Sequence, residues 1–254
     1  MSNLSSFLLP DWPAPANIGA ATTLRFGGVS KSPFASLNPA LHVGDDQEAV
    51  LRNRHFIKSV LELPNQPIWL DQIHSDRVIE INNTSLLHQA DASFTNKLEV
   101  VCAVLTADCL PLLICSKDGL QVAAVHAGWK GLAAGVISNT LNALLNNSVG
   151  AAKQGANYMV WLGPAIGPKC FEVGVEVLEA FVNKNKANQC AFIQISSAKW
   201  LADIYQLARI ELATLGVEDI YGGNACTYTE QELYYSYRRD RQTGRMASLI
   251  WRKS

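Results

Sequence analysis

Three side chains in this sequence have the chemical types that hold a transition-metal ion, namely His74, Cys109 and His126. Their spacing is too long for a structural zinc ribbon, but it suits one cluster assembled by the fold. Two imidazoles and a thiolate leave the fourth position of a tetrahedral zinc ion open for water, which is the arrangement of a catalytic zinc site. The alternative is a pair of hydrogen-bonded histidines beside an inert, buried cysteine.

The same residues permit chemistry without a metal. Cys109 as a covalent nucleophile, with His126 as its base, would make the protein a cysteine hydrolase. The metal content of the protein separates this hypothesis from the zinc hypothesis. A binding module without catalytic activity is a further alternative. His55, in a predicted helix, and His88, in a polar loop, are expected to be solvated or hydrogen-bonded.

The elements that must position these residues lie between residues 101 and 135. Runs of apolar and β-branched residues predict three buried strands here, at Val100–Thr106, Leu110–Cys115 and Leu120–Val125. Cys109 and His126 both fall where these strands end. Groups that bind and react collect at such ends in open α/β sheets, because the strands fix them while the loops leave them accessible.

Asp108 directly precedes Cys109 and is a candidate catalytic residue. Its carboxylate has two possible roles: to orient a ligand histidine from behind, or to bond its own loop backbone. The five other cysteines are expected to be small buried hydrophobic residues. They are Cys102, Cys115, Cys170, Cys190 and Cys226.

The rest of the chain alternates helical and strand patterns without an internal repeat or a linker. Helical spacing is present at Gln47–Leu61, Leu132–Leu145, Phe171–Asn183 and Trp200–Leu215. Further strands are predicted at Ile68–Leu70, Val78–Ile81, Tyr158–Leu162, Val217–Tyr221 and Arg245–Trp251. Asp45 or Asp46 can cap the first helix. We therefore expect an α/β fold: a single domain over residues 1–254, with a mixed β-sheet flanked by helices.

Composition excludes several functional classes. The chain has 254 residues, is 48% hydrophobic and carries a formal net charge of −1, so it has no overall attraction for nucleic acid or anionic membranes. Its most apolar run, residues 101–116, is too short to span a bilayer, and the N-terminus lacks the basic and apolar regions of a signal peptide. Six cysteines without paired spacing indicate a reducing, cytoplasmic protein rather than a disulfide framework.

Several longer motifs carry a family resemblance. In chain order, these motifs are LNPALHVGDD, QIHSDRV, TADCLPLLI, VAAVHAGWKG, WLGPAIGPKCFEVG and CTYTEQELYYSYRRDRQTGRMA. In this order they resemble the YfiH family, whose members have been called laccase-domain or polyphenol oxidase proteins, purine nucleoside phosphorylases and peptidoglycan editing factors. The resemblance covers nearly the whole chain and implies that His74, Cys109 and His126 are the metal ligands. The sequence departs from the family pattern at Ser75, which replaces a glycine, and at Lys169, where many relatives have a second cysteine.

The resemblance implies a zinc-dependent purine nucleoside phosphorylase with a broad range. Adenosine, inosine, guanosine and methylthioadenosine would be its substrates together with phosphate, and it would also deaminate adenosine. An alternative from the same family is hydrolysis of a mis-incorporated serine from the UDP-MurNAc precursor of the cell wall. Neither interpretation involves nucleic acid or a membrane, and both suit a monomer or a small homo-oligomer.

The family's third name, a copper polyphenol oxidase, fits the composition poorly. An oxidase that reduces oxygen with several coppers needs roughly ten imidazoles, and the chain has five histidines. A single His/His/Cys set resembles a blue-copper site, but neither Met159 nor Met246 is close in sequence to His74, Cys109 or His126. Cu²⁺ can displace Zn²⁺ from such a site in vitro, so oxidase activity with added copper would be weak support.

Both substrate classes offer anionic oxygens or a phosphate nucleophile, so the pocket should hold fixed cations. The candidates in the family motifs are Arg25, Lys130, Arg238 and Arg245. Polar motif residues that can orient substrate are Asn38, His42, Asp45 and Gln72. For each arginine the alternative is an ordinary surface charge. We expect Lys130 and at least one of the three arginines to line the pocket at the metal site.

Overall fold

The computed structural model describes residues 3–82, 88–147 and 155–253. The strands in these ranges are β1 (Phe7–Leu8), β2 (Ile18–Thr23), β3 (Leu70–Asp71), β4 (Val78–Glu80), β5 (His88–Gln89), β6 (Ala92–Thr95), β7 (Val101–Thr106), β8 (Leu110–Ser116), β9 (Val122–Ala127), β10 (Tyr158–Leu162), β11 (Glu172–Val173), β12 (Phe192–Ser196), β13 (Lys199–Ala202), β14 (Asp219–Gly222) and β15 (Met246–Arg252). The α-helices are α1 (Gln47–Val60), α2 (Trp129–Ala134), α3 (Val136–Asn146), α4 (Val175–Val182), α5 (Ile204–Thr214) and α6 (Tyr237–Asp240).

Two sheets form the centre of the fold. One has the strand order β1-β2-β15-β7 and is antiparallel throughout. The other has the order β14-β10-β8-β9-β6-β4 and is mixed, since its two outer pairs, β14 with β10 and β4 with β6, run parallel. A three-stranded sheet, β11-β13-β12, and the pair β3-β5 lie at the periphery. The expected mixed α/β architecture is confirmed.

The two central sheets pack face to face, and this explains why β8 has no polar face. Leu112 and Ile114 point into a core shared with helices α2 to α5, whereas Leu113 and Cys115 point into the layer between the sheets. A strand buried on both faces is a continuous apolar run rather than an alternating one. The first sheet is covered on its outer face by α1, with Ile57 in that core. The layers are therefore helix, sheet, sheet and helix.

The central strands follow the sequence pattern closely, whereas two predicted helices begin too early. The segment predicted as helix from Phe171 opens with strand β11, and its helix starts after Gly174. The segment predicted as helix from Trp200 opens with strand β13, and the Asp203 carboxylate then caps the helix by accepting the Gln206 amide. Short strands paired at a sheet edge override the helical period of their side chains in both cases.

The predicted helix over Leu132–Leu145 is two helices, α2 and α3. Gly135 separates them with a φ of +104°, a left-handed conformation that glycine adopts without steric cost. At the start of α1, Asp46 rather than Asp45 is the cap, because its carboxylate accepts the Ala49 amide. No helix in the described ranges is long and apolar enough to cross a membrane.

Candidate metal centre

Three different parts of the fold bring the predicted ligands together. His74 lies in the loop between β3 and β4, Cys109 in the turn between β7 and β8, and His126 on β9. The candidate ligand atoms all lie within 4.8 Å of one another, and Cys109 Sγ is 3.8 Å from His74 Nε2. In the described ranges they form the one group of three or more such side chains close enough to share an ion. The predicted convergence is confirmed.

The turn that carries Cys109 connects the two central sheets. β7 belongs to the four-stranded sheet and β8 to the six-stranded sheet, so the chain crosses between layers at residues 107–109. Asp108 has a φ of +92° and His74 a φ of +59°, left-handed conformations that are uncommon for residues with a side chain. Two such residues at one site indicate that the surrounding contacts enforce the backbone geometry there.

A buried carboxylate, Asp91, orients both histidines. Its Oδ1 is 2.7 Å from Nδ1 of His126, and both side chains are buried. The same carboxylate accepts the backbone amides of Ile73, His74 and Ser75 and the Ser75 hydroxyl. Asp91 therefore holds the His74 loop and leaves Nε2 of His126 free for a ligand. Carboxylate–histidine pairs of this kind fix the ring and raise its basicity at metal sites.

Sequence reasoning did not single out Asp91, and it proposed Asp108 for this orienting role. In the structure Asp108 accepts a hydrogen bond of 2.6 Å from the Thr227 hydroxyl and another from the Arg238 amide. The idea that Asp108 orients a ligand histidine is therefore wrong, and it bonds neither histidine nor its own loop. The one signal for Asp91 in the sequence is its position as an acidic residue directly before a strand, β6. The structure adds that β6 pairs with β9, the strand that carries His126.

The charges of the site favour an ionised thiol. Burial opposes ionisation of Cys109, but the charge and hydrogen bonding of His126, assisted by His74, lower the pKa of the thiol to about 6. Burial likewise opposes protonation of His126, but Cys109 and Asp91 raise its pKa to about 9. Without a metal, Cys109 and His126 thus form a thiolate–imidazolium pair at neutral pH.

Helix α2 closes the site from behind through glycine. A Cβ on Gly128 would lie 2.8 Å from Cδ2 of His74 and 3.1 Å from Sγ of Cys109. A Cβ on Gly131 would lie 2.7 Å from the carbonyl oxygen of Ser75. Contacts under 3.0 Å leave no room for a side chain, so these glycines of the HAGWKG motif let the helix touch the ligand loop.

A cavity of about 190 Å³ opens beside Cys109. Its walls are mainly apolar or aromatic, with Asp108 and Arg238 as charged members. The lining residues are Ala107, Asp108, Cys109, Trp129, Ile166, Phe171, Ile204, Tyr237 and Arg238. Such a pocket has flat apolar walls for a ring and one cation for an anionic group.

Of the four predicted cations, one lines the cavity and three do not. Arg238 lines the cavity, lies over the Phe171 ring and donates to the carbonyl oxygen of Glu172. Lys130 is exposed, with its Nζ 5.8 Å from the centre of the Trp129 ring, and is not among the residues that line the cavity.

The other two arginines bond backbone carbonyls. Arg245 bonds the carbonyl oxygens of Thr243 and Gly244. Burial lowers the pKa of Arg245, and the charges of Cys109 and Asp108 oppose that shift. Arg25 donates to the carbonyl oxygen of Gln231 and stacks over Tyr235.

Two of the predicted polar residues are committed to structural contacts. Both polar atoms of the Gln72 amide bond the backbone of Leu105, at 2.8 and 2.7 Å, at the end of β7. The buried Asn38 side chain accepts the Arg245 amide and donates to Asp45. They hold the segments around the site.

His42 is exposed in a short 3-10 helix, Leu41–Val43, before α1. Desolvation and the nearby Arg245 guanidinium lower the pKa of His42 below its usual value.

The remaining histidines and cysteines are scattered. His55 is exposed on α1, and His88 lies in β5 rather than in a loop. Cys102 and Cys115 are buried, as expected. The expectation of burial is wrong for Cys170 and Cys226, which are partly exposed, and for Cys190, which is exposed.

Fold and site together define an α/β protein with a cluster of two histidines and a cysteine that opens onto a pocket. Comparison with known proteins agrees. Residues 19–253 match the family described as multi-copper polyphenol oxidoreductase laccase, and the chain belongs to this family, which includes the YfiH proteins.

Several relatives resemble the chain over its whole length. The purine nucleoside phosphorylase YfiH of Escherichia coli is 48% identical over 249 residues, which cover 98% of this chain and 99% of that protein. The purine nucleoside phosphorylase PA4543 of Pseudomonas aeruginosa is 47% identical with the same coverage. The crystal structure of Neisseria meningitidis protein NMB0706 is 47% identical with a TM-score of 0.91, and covers 98% of this chain and 100% of its own.

Proposed function

We propose that this protein is a zinc-dependent purine nucleoside phosphorylase that uses His74, Cys109 and His126 as metal ligands. The observation that carries the proposal is the convergence of these three donors, within 4.8 Å, beside an aromatic pocket that Cys109 lines. Sulfur and imidazole nitrogen are donors that zinc prefers, and three protein ligands leave a fourth position open. Relatives at 47–48% identity carry the name purine nucleoside phosphorylase.

The donor set fits zinc for a second reason. Asp91 bonds Nδ1 of His126 and so presents Nε2 toward the other donors, and it fixes the His74 loop through three amides. The pKa of Cys109 is lowered to about 6, which favours the thiolate, the form that binds metal. When bound, zinc would supply a Lewis acid beside the substrate and lower the pKa of a bound water.

The chain's own groups suit a purine nucleoside and phosphate. We assign Trp129, Phe171 and Tyr237 to contacts with the flat base, since aromatic walls stack well on rings. Arg238, with Arg245 behind Tyr237, would attract the phosphate. In the reaction a phosphate oxygen bonds to ribose C1′ while the bond from C1′ to the purine nitrogen breaks, and the base leaves with a proton from solvent.

Other predicted roles become positioning roles in this proposal. Asp108 would anchor α6, and with it Tyr237 and Arg238, to the turn that carries Cys109, through its bond to the Arg238 amide. Asn38 would hold Arg245 by accepting its amide. Gln72 would hold the His74 loop through its two bonds to Leu105, and Lys130, Arg25, His42 and Asp45 remain predicted substrate contacts.

One observation favours a second candidate, a metal-free cysteine hydrolase. Asp91, His126 and Cys109 form a chain of acid, imidazole and thiol in which the thiol has a lowered pKa. This is the order of an orienting group, a base and a nucleophile. The two candidates differ in whether the thiolate binds a metal or attacks the substrate.

Substrate profiling tests the proposal. The protein is assayed with and without phosphate on inosine, guanosine, adenosine and methylthioadenosine, by following release of the base, and adenosine is also checked for conversion to inosine. We expect phosphate-dependent base release from several of these nucleosides. Parallel reactions contain serine-bearing UDP-MurNAc, or a phenol with and without added Cu²⁺. Turnover of the cell-wall precursor alone would support the editing hydrolase, and phenol oxidation without added copper would support the oxidase.

We also propose a cytoplasmic location, in keeping with six cysteines that are all free in the structure. Purine nucleosides and phosphate would be the partners there. The predicted single domain over residues 1–254 and the monomer or small homo-oligomer are parts of the same proposal.

A further inference from the structure

A pair of thiols lies in a cavity separate from the metal centre. Cys170 and Cys226 both line a cavity of about 500 Å³, and both are partly exposed. The cavity also contains Asp203, Arg209 and Glu230, and Cys109 is not among its lining residues. None of the predicted site residues lines it, so the proposed activity makes no use of this pair.

The two cysteines meet around Gly167 although they are distant in sequence. The Cys170 amide donates to the carbonyl oxygen of Gly167 at 3.0 Å. Cys170 follows the glycine–proline loop after β10, whereas Cys226 lies in the segment after β14. The backbone of Gly167 sets the position of Cys226: its amide lies 3.3 Å from the Cys226 sulfur, and a Cβ on Gly167 would lie 3.0 Å from Cβ of Cys226.

The surroundings give the two sulfurs different roles. Burial opposes ionisation of Cys226, but donors from Thr229, Gly167 and Tyr228 outweigh it and lower the pKa of this thiol. For Cys170, burial and the neighbouring Cys226 raise the pKa. A thiolate attacks and a neighbouring thiol then resolves, so the asymmetry designates Cys226 as the attacking sulfur.

We propose that Cys226 and Cys170 form a thiol-modification site that low-molecular-weight disulfides convert to an internal disulfide. The Cys226 thiolate attacks one sulfur of the small disulfide and releases the other half as a thiolate. Cys170 then loses its proton to solvent and attacks the Cys226 sulfur, which releases the second half. The protein dithiol loses two electrons, and the small disulfide becomes two thiols.

This bond would join a segment that lines the pocket at Cys109 to a segment that contacts its wall residue Asp108. Phe171, a wall residue, directly follows Cys170. Thr227 directly follows Cys226, and its hydroxyl bonds Asp108. The modification site is therefore placed to change the shape of that pocket, although the proposal stands on the chemistry of the two thiols and not on the activity of the protein.

The test is treatment of the reduced full-length chain with glutathione disulfide, followed by thiol titration and peptide mass spectrometry. We expect loss of at least two of the six thiols and a peptide linked through Cys170 and Cys226. In Cys170→Ser, a glutathione mixed disulfide should accumulate on Cys226. Cys190→Ser, which removes an exposed thiol outside the cavity lining, is the matched control and should form the same internal bond as the wild type.

A second measurement needs no variant. Brief alkylation of the wild-type protein with iodoacetamide at neutral pH should label Cys226 at least about tenfold faster than Cys190 and Cys170, because the thiolate is the reactive form. Equal labelling of these three cysteines, or oxidation that leaves both Cys170 and Cys226 free, would overturn the proposal.

Discussion

Cys102 lies near the start of β7 and Cys109 lies just after its end, and the two thiols have opposite chemistry. Cys102 is fully buried in β7, where desolvation raises the pKa of its thiol to about 12. Just beyond the end of β7, two imidazoles outweigh the same desolvation and lower the pKa of Cys109 to about 6. Burial alone therefore makes a cysteine inert, and fixed partners that favour the thiolate, here two imidazoles, make it a ligand or a nucleophile.

The difference extends to what holds each thiol. Cys102 packs between the two central sheets among apolar side chains. Cys109 faces His74 and His126, which Asp91 fixes from behind. The surroundings of the Cys109 thiol therefore depend on Asp91, whereas those of the Cys102 thiol do not.

The largest effect is expected for Cys109→Ser compared with Cys102→Ala. Serine is a poor zinc ligand near neutral pH, so Cys109→Ser should lose bound zinc. The value of kcat/KM for inosine phosphorolysis should fall by more than about 100-fold. This loss exceeds the usual cost of removing a residue that only orients a ligand. Cys102→Ala should keep zinc and activity, with only a loss of stability. Elemental analysis and the phosphorolysis assay are run on the same samples.

Cys109→Asp sharpens this test. Aspartate offers an oxygen ligand, so part of the zinc and activity should remain if Cys109 is a ligand. If Cys109 is the attacking thiolate, this variant should be inactive even where it is folded, and the wild type should ignore chelators.

Asp91→Asn should lower zinc affinity by about 10- to 100-fold, the usual cost of losing the partner behind a ligand histidine. An amide has only one accepting oxygen, so either the donors to Oδ1 (His126 and the His74 amide) or the donors to Oδ2 (Ile73 and Ser75) lose their acceptor. Competition with a chelating dye measures the affinity. Asp118→Asn is the matched control, because Asp118 bonds Ser116 and Leu120 in the turn after β8. Equal losses in both variants would contradict the assignment to Asp91.

Asp91 should also contribute to acid stability. Its pKa lies near 2 in the folded protein against an ordinary value of 3.8, and a depressed carboxyl pKa stabilises the fold above the ordinary value. This contribution, about 2 kcal/mol, should be fully present above pH 4 and be lost as the pH falls from about 3.8 toward 2. Urea unfolding at several pH values measures it. Asp91→Asn should lack this part of the pH dependence, and a parallel curve for the variant would refute the claim.

The smallest effect concerns protons released on zinc binding. In the free protein at neutral pH, Cys109 is ionised but His126 carries a proton, since its pKa is raised to about 9. Zinc must displace that proton, so affinity should rise about tenfold per pH unit between about pH 6 and 9. Calorimetry in buffers of different ionisation enthalpy counts the proton. Affinity that is independent of pH across this window would mean that His126 is neutral before zinc binds.

The sequence predicted the central strands and the three donors well, because local signals specify both. β7, β8 and β10 are continuous apolar runs bounded by turns, and the donors stand near the ends of such runs. Asp91 escaped because its role depends on pairing between β6 and β9, a contact between segments distant in sequence. Likewise, Cys170 and Cys226 lie close together because two loops pack against each other, and the spacing of residues in the sequence does not predict this contact.

The central claim is that the His74, Cys109 and His126 cluster holds the zinc on which phosphorolysis depends. Protein purified without added metal is analysed for zinc, stripped with a chelator, assayed for phosphate-dependent release of hypoxanthine from inosine, and then reloaded with zinc. We predict about one zinc ion per chain, loss of activity on stripping, and recovery on reloading. Full activity of the metal-free wild-type protein would contradict the claim.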